Sequence, residues 1–528
     1  MGSGIDEIEE LARNGETANV EFKEYLKKKV HLEKVRMQGL ASQMRYRVLS
    51  GNGRAIYLIG VNNKGVIKGL SQKRYKETVE VLDAIAWEAG LSVVARDCYP
   101  SNGGVVGKLV IEESRLEKEH LLIGTAGHVD HGKSTLVGTL VSGELDDGDG
   151  RTRRYLDTQK HEIERGLSAD LSYAVYGFDG GGNALRLKNP LSKKERAGVV
   201  EKAGKIVSFV DTVGHEPWLR TTIRGIVGQT LDYGILTIAA DDGITHVTKE
   251  HLAILLAMEL PVVIAVTKCD HMVRKNLDEE IADLLALVGK VPKFLRSVRD
   301  VEMLQPFWEN KVLVPVVRTS AKTGEGFEVL DKLFLHLPKG ATRFEREKDF
   351  LMYIDKVYNV PGVGTVVSGS IKQGVVKKGV ELFLGPDSDG VFHGVRVASL
   401  EIHHFSVDTS EVGGIIGIAL KNVDMEIRRG LVLAAEEGLK ASREFEADVV
   451  VLNHPTRIAE GYEPVVHLET ISESIEVTPL DAEFLAAGDR GRVRMRFKYN
   501  PYYVKEGQKF VFREGRSKGI GTVIKIIS

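Results

Sequence analysis

Apolar positions along this chain fall into three successive patterns. Up to about Lys118, short strand-like and helix-like stretches alternate. Asn19–Tyr25 reads as a strand, and Val30–Leu49 carries apolar residues at helical spacing (Val30, Val35, Leu40, Met44, Val48). Ala55–Gly60 and Gly65–Leu70 flank Val61–Lys64, a hairpin signal carried by an Asn-Asn-Lys-Gly turn. A helix pattern over Ser71–Ala89 stops at Gly90, and two further strands are expected near Leu91–Asp97 and Val105–Ile111. These elements predict a small α+β domain over 1–118, with the charged stretch Lys108–Lys118 as the link out of it.

From His120 to Lys339 the pattern changes to continuous apolar runs separated by helix patterns. The runs are Leu121–Thr125, Ile206–Val210, Gly234–Ala240, Val262–Val266 and Leu313–Val317. Strands of this kind belong to a parallel sheet covered on both faces, which predicts a doubly wound α/β domain over 119–341. Ligands of such sheets bind at the carboxyl ends of the strands. From Phe344 onward, short strand patterns are separated by turns such as Pro361–Val363, Gly385–Gly390 and Asn500–Tyr502. That spacing predicts two antiparallel β-barrels, over 342–437 and 438–528, with Ala435–Arg443 as the seam.

Composition narrows the class. A chain of 528 residues exceeds what one hydrophobic core supports, roughly 250–300 residues. With 43% apolar and 28% charged residues it has ordinary globular composition. Its formal charge of −2 supplies no global cationic field, so any RNA contact must come from local patches. Cys98 and Cys269 cannot build a disulfide framework, the acidic N-terminus lacks the core of a signal peptide, and no long uncharged apolar run exists. A soluble, monomeric cytoplasmic protein without membrane contact is the expectation.

Chemistry concentrates after the strands of the second region. Gly127-His128-Val129-Asp130-His131-Gly132-Lys133-Ser134 lies between the strand Leu121–Thr125 and a helix beginning at Ser134. Its glycines let backbone N–H groups turn inward on an anion, and the helix start adds partial positive charge. Lys133 would reach the β- and γ-phosphates and Ser134 would ligate Mg²⁺. Asp211-Thr-Val-Gly214-His215 ends the strand Ile206–Val210. A carboxylate there is costly unless compensated, which water-mediated contact with Mg²⁺ would do. Gly214 offers an N–H to the γ-phosphate, and His215 would lie near the attacking water.

Thr267-Lys268-Cys269-Asp270 follows the strand Val262–Val266. Asp270 can accept from both N1–H and the 2-amino group of guanine, whereas adenine would leave it unpaired. The stem of Lys268 would pack over the base, and Ser320-Ala321-Lys322 would present a backbone N–H to guanine O6. Between these motifs, His161-Glu-Ile-Glu-Arg-Gly-Leu-Ser168 reads as a switch in which Ser168 completes Mg²⁺ coordination while γ-phosphate is present. Each string alone is weak. Their order, each after a successive strand, is specific.

These residues resemble the translational GTPases. Gly127–Thr135 (GHVDHGKST) is close to the phosphate loop of elongation factor Tu and its relatives, and Asp211–His215 resembles their DxPGH. Val360–Gly369 looks like the opening of their second domain, and Phe512–Gly521 is similar to the last hairpin of their third. The string HEIERG followed by a small hydroxyl residue, together with the Ile56–Gly65 hairpin, is most similar to the GTP-binding protein 1-like branch, in particular its archaeal members. The resemblance implies a G domain followed by two barrels. It also implies GTP and Mg²⁺ as ligands, and hydrolysis on engaging the ribosome with tRNA bound. Within the site it implies that His215 aligns the water and that Val129 forms part of a hydrophobic gate.

Four positions depart from the family pattern. Val213 replaces Pro, Ser168 replaces Thr, and Thr267 replaces an Asn whose amide braces the phosphate loop, which predicts a looser loop. Asp355-Lys356-Val-Tyr358 stands where elongation factor Tu has two acids before an aromatic of its aminoacyl pocket. Arg490, Arg492, Arg494, Arg496 and Lys498 share one strand face, either for RNA phosphates or as a plain solvated face. Lys27–His31 is a candidate partner or RNA patch, although such runs are more often solvated surface. His403 and His404 lack metal-ligand companions and read as structural, and Gly180–Asn183 with Asn189–Lys194 reads as a mobile polar insert. The alternative to tRNA delivery is a GTP-switched adaptor in RNA turnover or ribosome rescue, docking RNA-decay machinery through residues 1–118.

Overall fold

The computed structural model describes residues 4–51, 53–89, 91–101, 103–113, 118–156, 171–212, 219–271, 273–304, 312–340, 343–453, 457–515 and 517–527. The chain divides into two compact units, Met1–Glu119 and His120–Ser528.

In the first unit, strands β1 (Val20–Lys23), β2 (Arg54–Ile59), β3 (Leu91–Ser101) and β4 (Gly104–Glu113) form one sheet in the order β1-β2-β4-β3. Helices are α1 (Gly4–Asn14), α2 (Lys28–His31), α3 (Lys34–Ser50) and α4 (Gln72–Glu88). Side chains alternate across a strand, so neighbouring residues of β2 serve two cores. Tyr57 and Ile59 pack with Met44 and Val48 of α3 and Val81, Leu82 and Ile85 of α4. Leu58 faces Ile8 and Ala12 of α1.

Three expectations need correction here. The helix expected over Val30–Leu49 is interrupted at Leu32–Glu33, and Glu77 of α4 holds the start of the short first piece through the Lys28 N–H (3.1 Å) and the Tyr25 hydroxyl (2.5 Å). The Asn62–Gly65 turn forms, with the Asn62 side chain accepting from Lys64 and Val66 N–H at 3.0 Å each. Its second arm makes only isolated bridges, because Gly60, Gly65 and Gly69 all adopt positive φ and interrupt the extended run. Lys108 belongs to β4 rather than to a linker, and its charge is met by Glu7 (2.6 Å) and Asp97 (3.2 Å).

The second unit opens with an eight-stranded sheet of order β11-β12-β10-β9-β5-β8-β6-β7. The strands are β5 (Glu119–Gly127), β6 (Ser172–Phe178), β7 (Ala184–Leu185), β8 (Lys205–Asp211), β9 (Tyr233–Ala239), β10 (Val262–Thr267), β11 (Val291–Leu295) and β12 (Leu313–Arg318). The five expected apolar runs are all strands, and each is buried over most of its length. Helices α5 (Lys133–Ser142), α6 (Lys193–Lys202), α10 (Val298–Leu304) and α11 (Phe327–His336) share one core with the sheet. Helices α7 (Leu219–Val227), α8 (His246–Ala257) and α9 (Leu277–Ala286) share another, the doubly wound arrangement. The Gly180–Asn183 segment expected to be mobile is instead the β6–β7 turn, organised by the Asp179 carboxylate accepting from Gly181 and Asn183 N–H at 2.9 Å each. Ser192, in the Asn189–Lys194 stretch, caps α6.

Two barrels follow. Strands Leu351–Tyr353, Val432–Ala434, Glu381–Gly385, His393–Ile402, Ile415–Lys421 and Gly364–Gln373 close on themselves, because Gly364–Gln373 pairs back onto Leu351–Tyr353. Strand Lys356–Val360 pairs with Gly364–Gln373 outside that ring. The second barrel runs Glu444–Asn453, Arg490–Phe497, Ile471–Pro479, Val465–Leu468, Lys509–Glu514 and Ser517–Ile527. Closure removes strand edges. No described helix is long and apolar enough to cross a membrane.

Candidate functional site: a phosphate loop between three strand ends

The site grows from the end of β5. Gly127 has φ 135°, and a Cβ there would lie 2.4 Å from the Thr237 hydroxyl, so no other residue fits. Its N–H donates to Nδ1 of His251 on α8 at 2.9 Å, which places the proton of that neutral imidazole on Nε2. Burial pushes His251 down to about 3, with the Lys133 and Lys518 charges adding to the effect. Gly132, at φ 75°, turns the chain into α5. With glycine as its N-cap, the start of α5 carries no side-chain cap.

Lys133 is buried beneath this loop. Its ammonium donates to the carbonyl oxygens of His128 (2.7 Å) and Gly127 (3.1 Å). Burial lowers its pKa to about 8 against the opposing pull of Asp211 and Asp130. Ser134 Oγ donates to Asp211 Oδ2 at 2.6 Å, and Thr125 Oγ1 donates to Asp211 Oδ1 at 2.8 Å. Thr212 completes this knot, its N–H donating to Thr125 Oγ1 and its hydroxyl to the Thr125 carbonyl. The costly buried carboxylate at the end of β8 is thus held by two hydroxyls beside the phosphate loop. Its hard oxygen donors, one hydroxyl and one carboxylate, suit Mg²⁺, which takes few protein ligands and completes its shell from phosphate and water.

The loops after β10 and β12 meet on the other side. Ser320 Oγ donates to Asp270 Oδ1 at 2.6 Å, and the Cys269 N–H donates to the Thr319 carbonyl at 3.1 Å. Partial burial pushes the Asp270 carboxyl up. The Ser320 hydroxyl, its own N–H and the charges of His271 and Lys322 outweigh that and hold it below the usual carboxylate range. A cavity of about 180 Å³ is lined by Gly132, Thr135, Leu136, Thr267, Lys268, Asp270, Ala321 and Lys322. Phosphate-loop and base-side residues therefore share one cavity.

A brace exists at Thr267 despite the missing amide. Thr267 Oγ1 donates to the His131 carbonyl at 2.8 Å, so a hydroxyl supplies the brace between β10 and the phosphate loop. Sequence reasoning also missed Asp146, Gly148 and Gly150, which line the same cavity. The Asp146 carboxylate accepts from the N–H groups of Gly148, Gly150 and Thr152 within 3.1 Å, and its own N–H donates to the Ala321 carbonyl. The signal was available in the Asp-Asp-Gly-Asp-Gly run, a turn-forming composition. Ser168, Val213, Gly214 and His215 lie outside the described residues.

Two further readings change. Arg496, Arg494 and Arg492 stand opposite Glu444, Glu446 and Asp448 on the neighbouring strand. Each cation of the face has an acid: Arg496 with Glu444, Arg494 with Glu446, Arg490 with Asp448, Arg492 with Asp481 and Lys498 with Glu463. The face is a neutralised charge ladder, not a bare cationic stripe. Asp355 does not line an open pocket. It is buried between Arg224 (3.2 Å) and Arg429 (3.3 Å) and accepts from the Tyr173 hydroxyl at 2.9 Å. Lys356 lies 5.1 Å from the Tyr173 ring centroid, which ties the first barrel to the sheet domain.

His403 is structural, as read, in a specific way. Ser208 Oγ on β8 lies 2.7 Å from both His120 Nε2 and His403 Nε2, a buried chain joining the sheet to the first barrel. Burial pushes His120 down to about 3 and His403 well below its ordinary value, so both stay neutral.

A mainly parallel sheet, with β6 and β7 antiparallel at one edge, carries a phosphate loop after its first strand; followed by two closed barrels, it defines a P-loop nucleotide-binding protein of the elongation-factor type. Comparison with known proteins agrees. Residues 118–339 match the Elongation factor Tu GTP binding domain, 364–434 Elongation factor Tu domain 2, and 438–527 the Elongation factor Tu C-terminal domain. GTP-binding protein 1 of Xenopus laevis is 34% identical over 500 residues, covering 92% of this chain and 76% of its own. GTP-binding protein 2 of Mus musculus is 30% identical over 537 residues, covering 98% and 88%. The chain belongs to the translational GTPase superfamily of elongation factor Tu, in its GTP-binding protein 1-like branch.

Among solved structures, a bacterial selenocysteine-specific elongation factor superposes with a TM-score of 0.56 at 23% identity, over 77% of this chain. The present chain spans 58% of that protein's length. Translation elongation factor SelB from Methanococcus maripaludis, in complex with the GTP analogue GppNHp, gives a TM-score of 0.53 at 19% identity, covering 78% of this chain and 80% of its own. These two likenesses concern the fold.

Proposed function

We propose that this protein binds GTP with Mg²⁺, hydrolyses it when it engages the ribosome, and binds tRNA in an elongation-factor-like manner in the cytoplasm. One observation carries the reading. Gly132 and Thr135 at the start of α5 line one cavity with Thr267, Lys268, Asp270 and Ala321, in a chain whose barrels belong to the translational GTPase superfamily.

In this reading the N–H groups of His128–Thr135 and the Lys133 ammonium hold the phosphates. Lys133 exchanges two carbonyl partners for phosphate oxygens as it does so. Asp270 and the Ala321 N–H select guanine, with Ser320 fixing the carboxylate and Lys268 covering the base. Ser134, Asp211 and Ser168 would hold Mg²⁺, which when bound neutralises charge on the β- and γ-phosphates. Gly214 donates its N–H to the γ-phosphate, and His215 orients the attacking water. Little covalent chemistry falls to the protein, and no arginine finger is assigned, so isolated turnover is slow.

Multiple-turnover GTP hydrolysis with and without ribosomes, paired with tRNA filter binding in the GTP and GDP states, tests this. Strong ribosome stimulation and GTP-dependent tRNA binding are expected. Fast turnover indifferent to ribosomes would sink the proposal. Stimulation without tRNA binding in either state would favour a GTP-switched adaptor, a reading favoured by the neutralised Arg490–Lys498 ladder.

A further inference from the structure

With the Arg490–Lys498 face neutralised, a cluster of exposed cations in the first unit stands out. Residues 1–119 hold 19 Lys and Arg against 17 Asp and Glu, a net +2 in a chain whose total is −2. The excess is concentrated at two places that fold together. One is Lys27-Lys28-Lys29, leading into α2. The other is Lys73, Arg74 and Lys76 in the first turn of α4, which contains no acid.

Tyr25 joins them. Lys27 Nζ lies 5.8 Å and Arg74 Cζ 5.3 Å from its ring centroid, so two cations from different elements converge on one aromatic ring. The ring is fixed by its hydroxyl, which donates to Glu77 at 2.5 Å, and the Leu26 N–H is fixed by Thr78 Oγ1 at 3.2 Å. The nearby acids are engaged locally: Glu77 by Tyr25 and the Lys28 N–H, and Glu80 by the Lys28 ammonium at 2.7 Å. Lys27, Lys29, Lys73, Arg74 and Lys76 are exposed, and none has an ion pair among the described residues.

This placement disfavours the isolated unit. Cations in the first turn of a helix oppose its dipole, and Lys27 and Arg74 repel one another across the Tyr25 ring. Glu77, which feels the Lys27 and Lys28 charges, and Glu80, paired with Lys28, offset only part of this excess, and a partner is expected to supply the rest.

We propose that Lys27, Lys29, Lys73, Arg74 and Lys76, assembled around Tyr25, form a docking surface for the phosphodiester backbone of RNA. The chemistry fits a regularly spaced polyanion: several exposed cations from two elements spread around one fixed aromatic ring. The choice of RNA rests on the translational reading of the whole chain.

The test uses the full chain. Fluorescence anisotropy of a labelled, unstructured single-stranded RNA is measured across a salt series for the natural protein and for Lys27→Glu/Lys73→Glu/Arg74→Glu. Removing three phosphate contacts at about 0.7 each is expected to flatten the log–log salt slope by about 2, and to weaken binding at low salt by at least ~10-fold. A Lys27→Gln/Lys73→Gln/Arg74→Gln variant covers the case in which charge reversal disturbs folding. Arg494→Ala/Arg496→Ala, on the neutralised ladder, should leave both quantities unchanged. Unaltered affinity and slope in a folded triple variant would overturn the proposal. Equal displacement of the RNA by polyglutamate of matched charge would also overturn it, pointing to an acidic polypeptide, and preference for matched single-stranded DNA would assign the same chemistry to DNA. RNA binding lost while ribosome-stimulated hydrolysis persists, or the reverse, separates failure of this surface from failure of the GTPase reading.

Discussion

Thr267 shows how a substitution is judged by the atom it replaces rather than by residue class. The amide expected at this position is gone, yet the hydroxyl reaches the His131 carbonyl at 2.8 Å. A buried hydrogen bond of this kind contributes about 1 kcal/mol net. Thr267→Ala should therefore raise the GDP dissociation rate about fivefold, measured with a fluorescent GDP analogue, while Thr267→Asn should stay within twofold of the natural protein. An unchanged rate in the alanine variant would show that the brace does not restrain the loop. The residue type was legible in the sequence. Its compensation was not, because the partner is a backbone carbonyl 136 positions away. Asp355 went unread for the same reason: nothing local announces that Arg224 and Arg429 converge on it.

At the scale of elements, the sequence was most informative where burial is continuous. All five apolar runs of the sheet are strands, since a strand covered on both faces needs no polar alternation to be recognised. It was least informative where glycine breaks an extended run, as at Gly65–Leu70, or where a side chain captures a helix end, as Glu77 does at Lys28. The cation face on Arg490–Phe497 was correctly placed on one side of a strand, but its neutralisation depended on register with Glu444–Asn453, which no local pattern encodes.

Helix α8 carries a related lesson. Adjacent residues serve two neighbours: Glu250 pairs with Lys518 of the second barrel, and His251 accepts from the Gly127 N–H. Removing the acceptor leaves a buried N–H unsatisfied, at about 1–3 kcal/mol. His251→Ala should speed GDP release at least ~5-fold, with rescue by His251→Asn, whose Oδ1 can replace Nδ1. Release as slow in the alanine variant as in the natural protein would mean that α8 does not hold the loop.

For the molecule as a whole, buried histidines lead the response to acid, with His120, His251 and His403 the most strongly lowered and His131, His336 and His404 lowered as well. Their folded-state values lie below the ordinary 6.5, so the unfolded chain binds more protons as pH falls through 6.5. Each of the first three then loses about 1.4 kcal/mol of stability per pH unit below 6.5. Asp232 acts in the opposite sense: burial raises it to about 6, although the Leu122 and Gly340 N–H groups lower it, so acidification from 6 towards 3.8 returns part of the loss. Urea unfolding at pH 7.5 and 5.5 should show a net loss of a few kcal/mol in the unit containing the sheet and barrels. Replacing His403 with Gln should reduce that loss by about 1.4 kcal/mol. Stability that is flat across this interval would contradict the buried His120–Ser208–His403 joint.

The central claim is that Gly127–Ser134 and Asp270 hold one guanine nucleotide. Displacement of a fluorescent GDP analogue by GDP, ADP and XDP, from the natural protein and from Asp270→Asn, tests it most directly. The account predicts a preference for GDP over ADP on the order of 10⁴, lost on Asp270→Asn, which should instead favour XDP because its amide can donate to the xanthine 2-oxo group. Comparable displacement by ADP and GDP, or an Asp270→Asn variant with unchanged GDP preference, would contradict it.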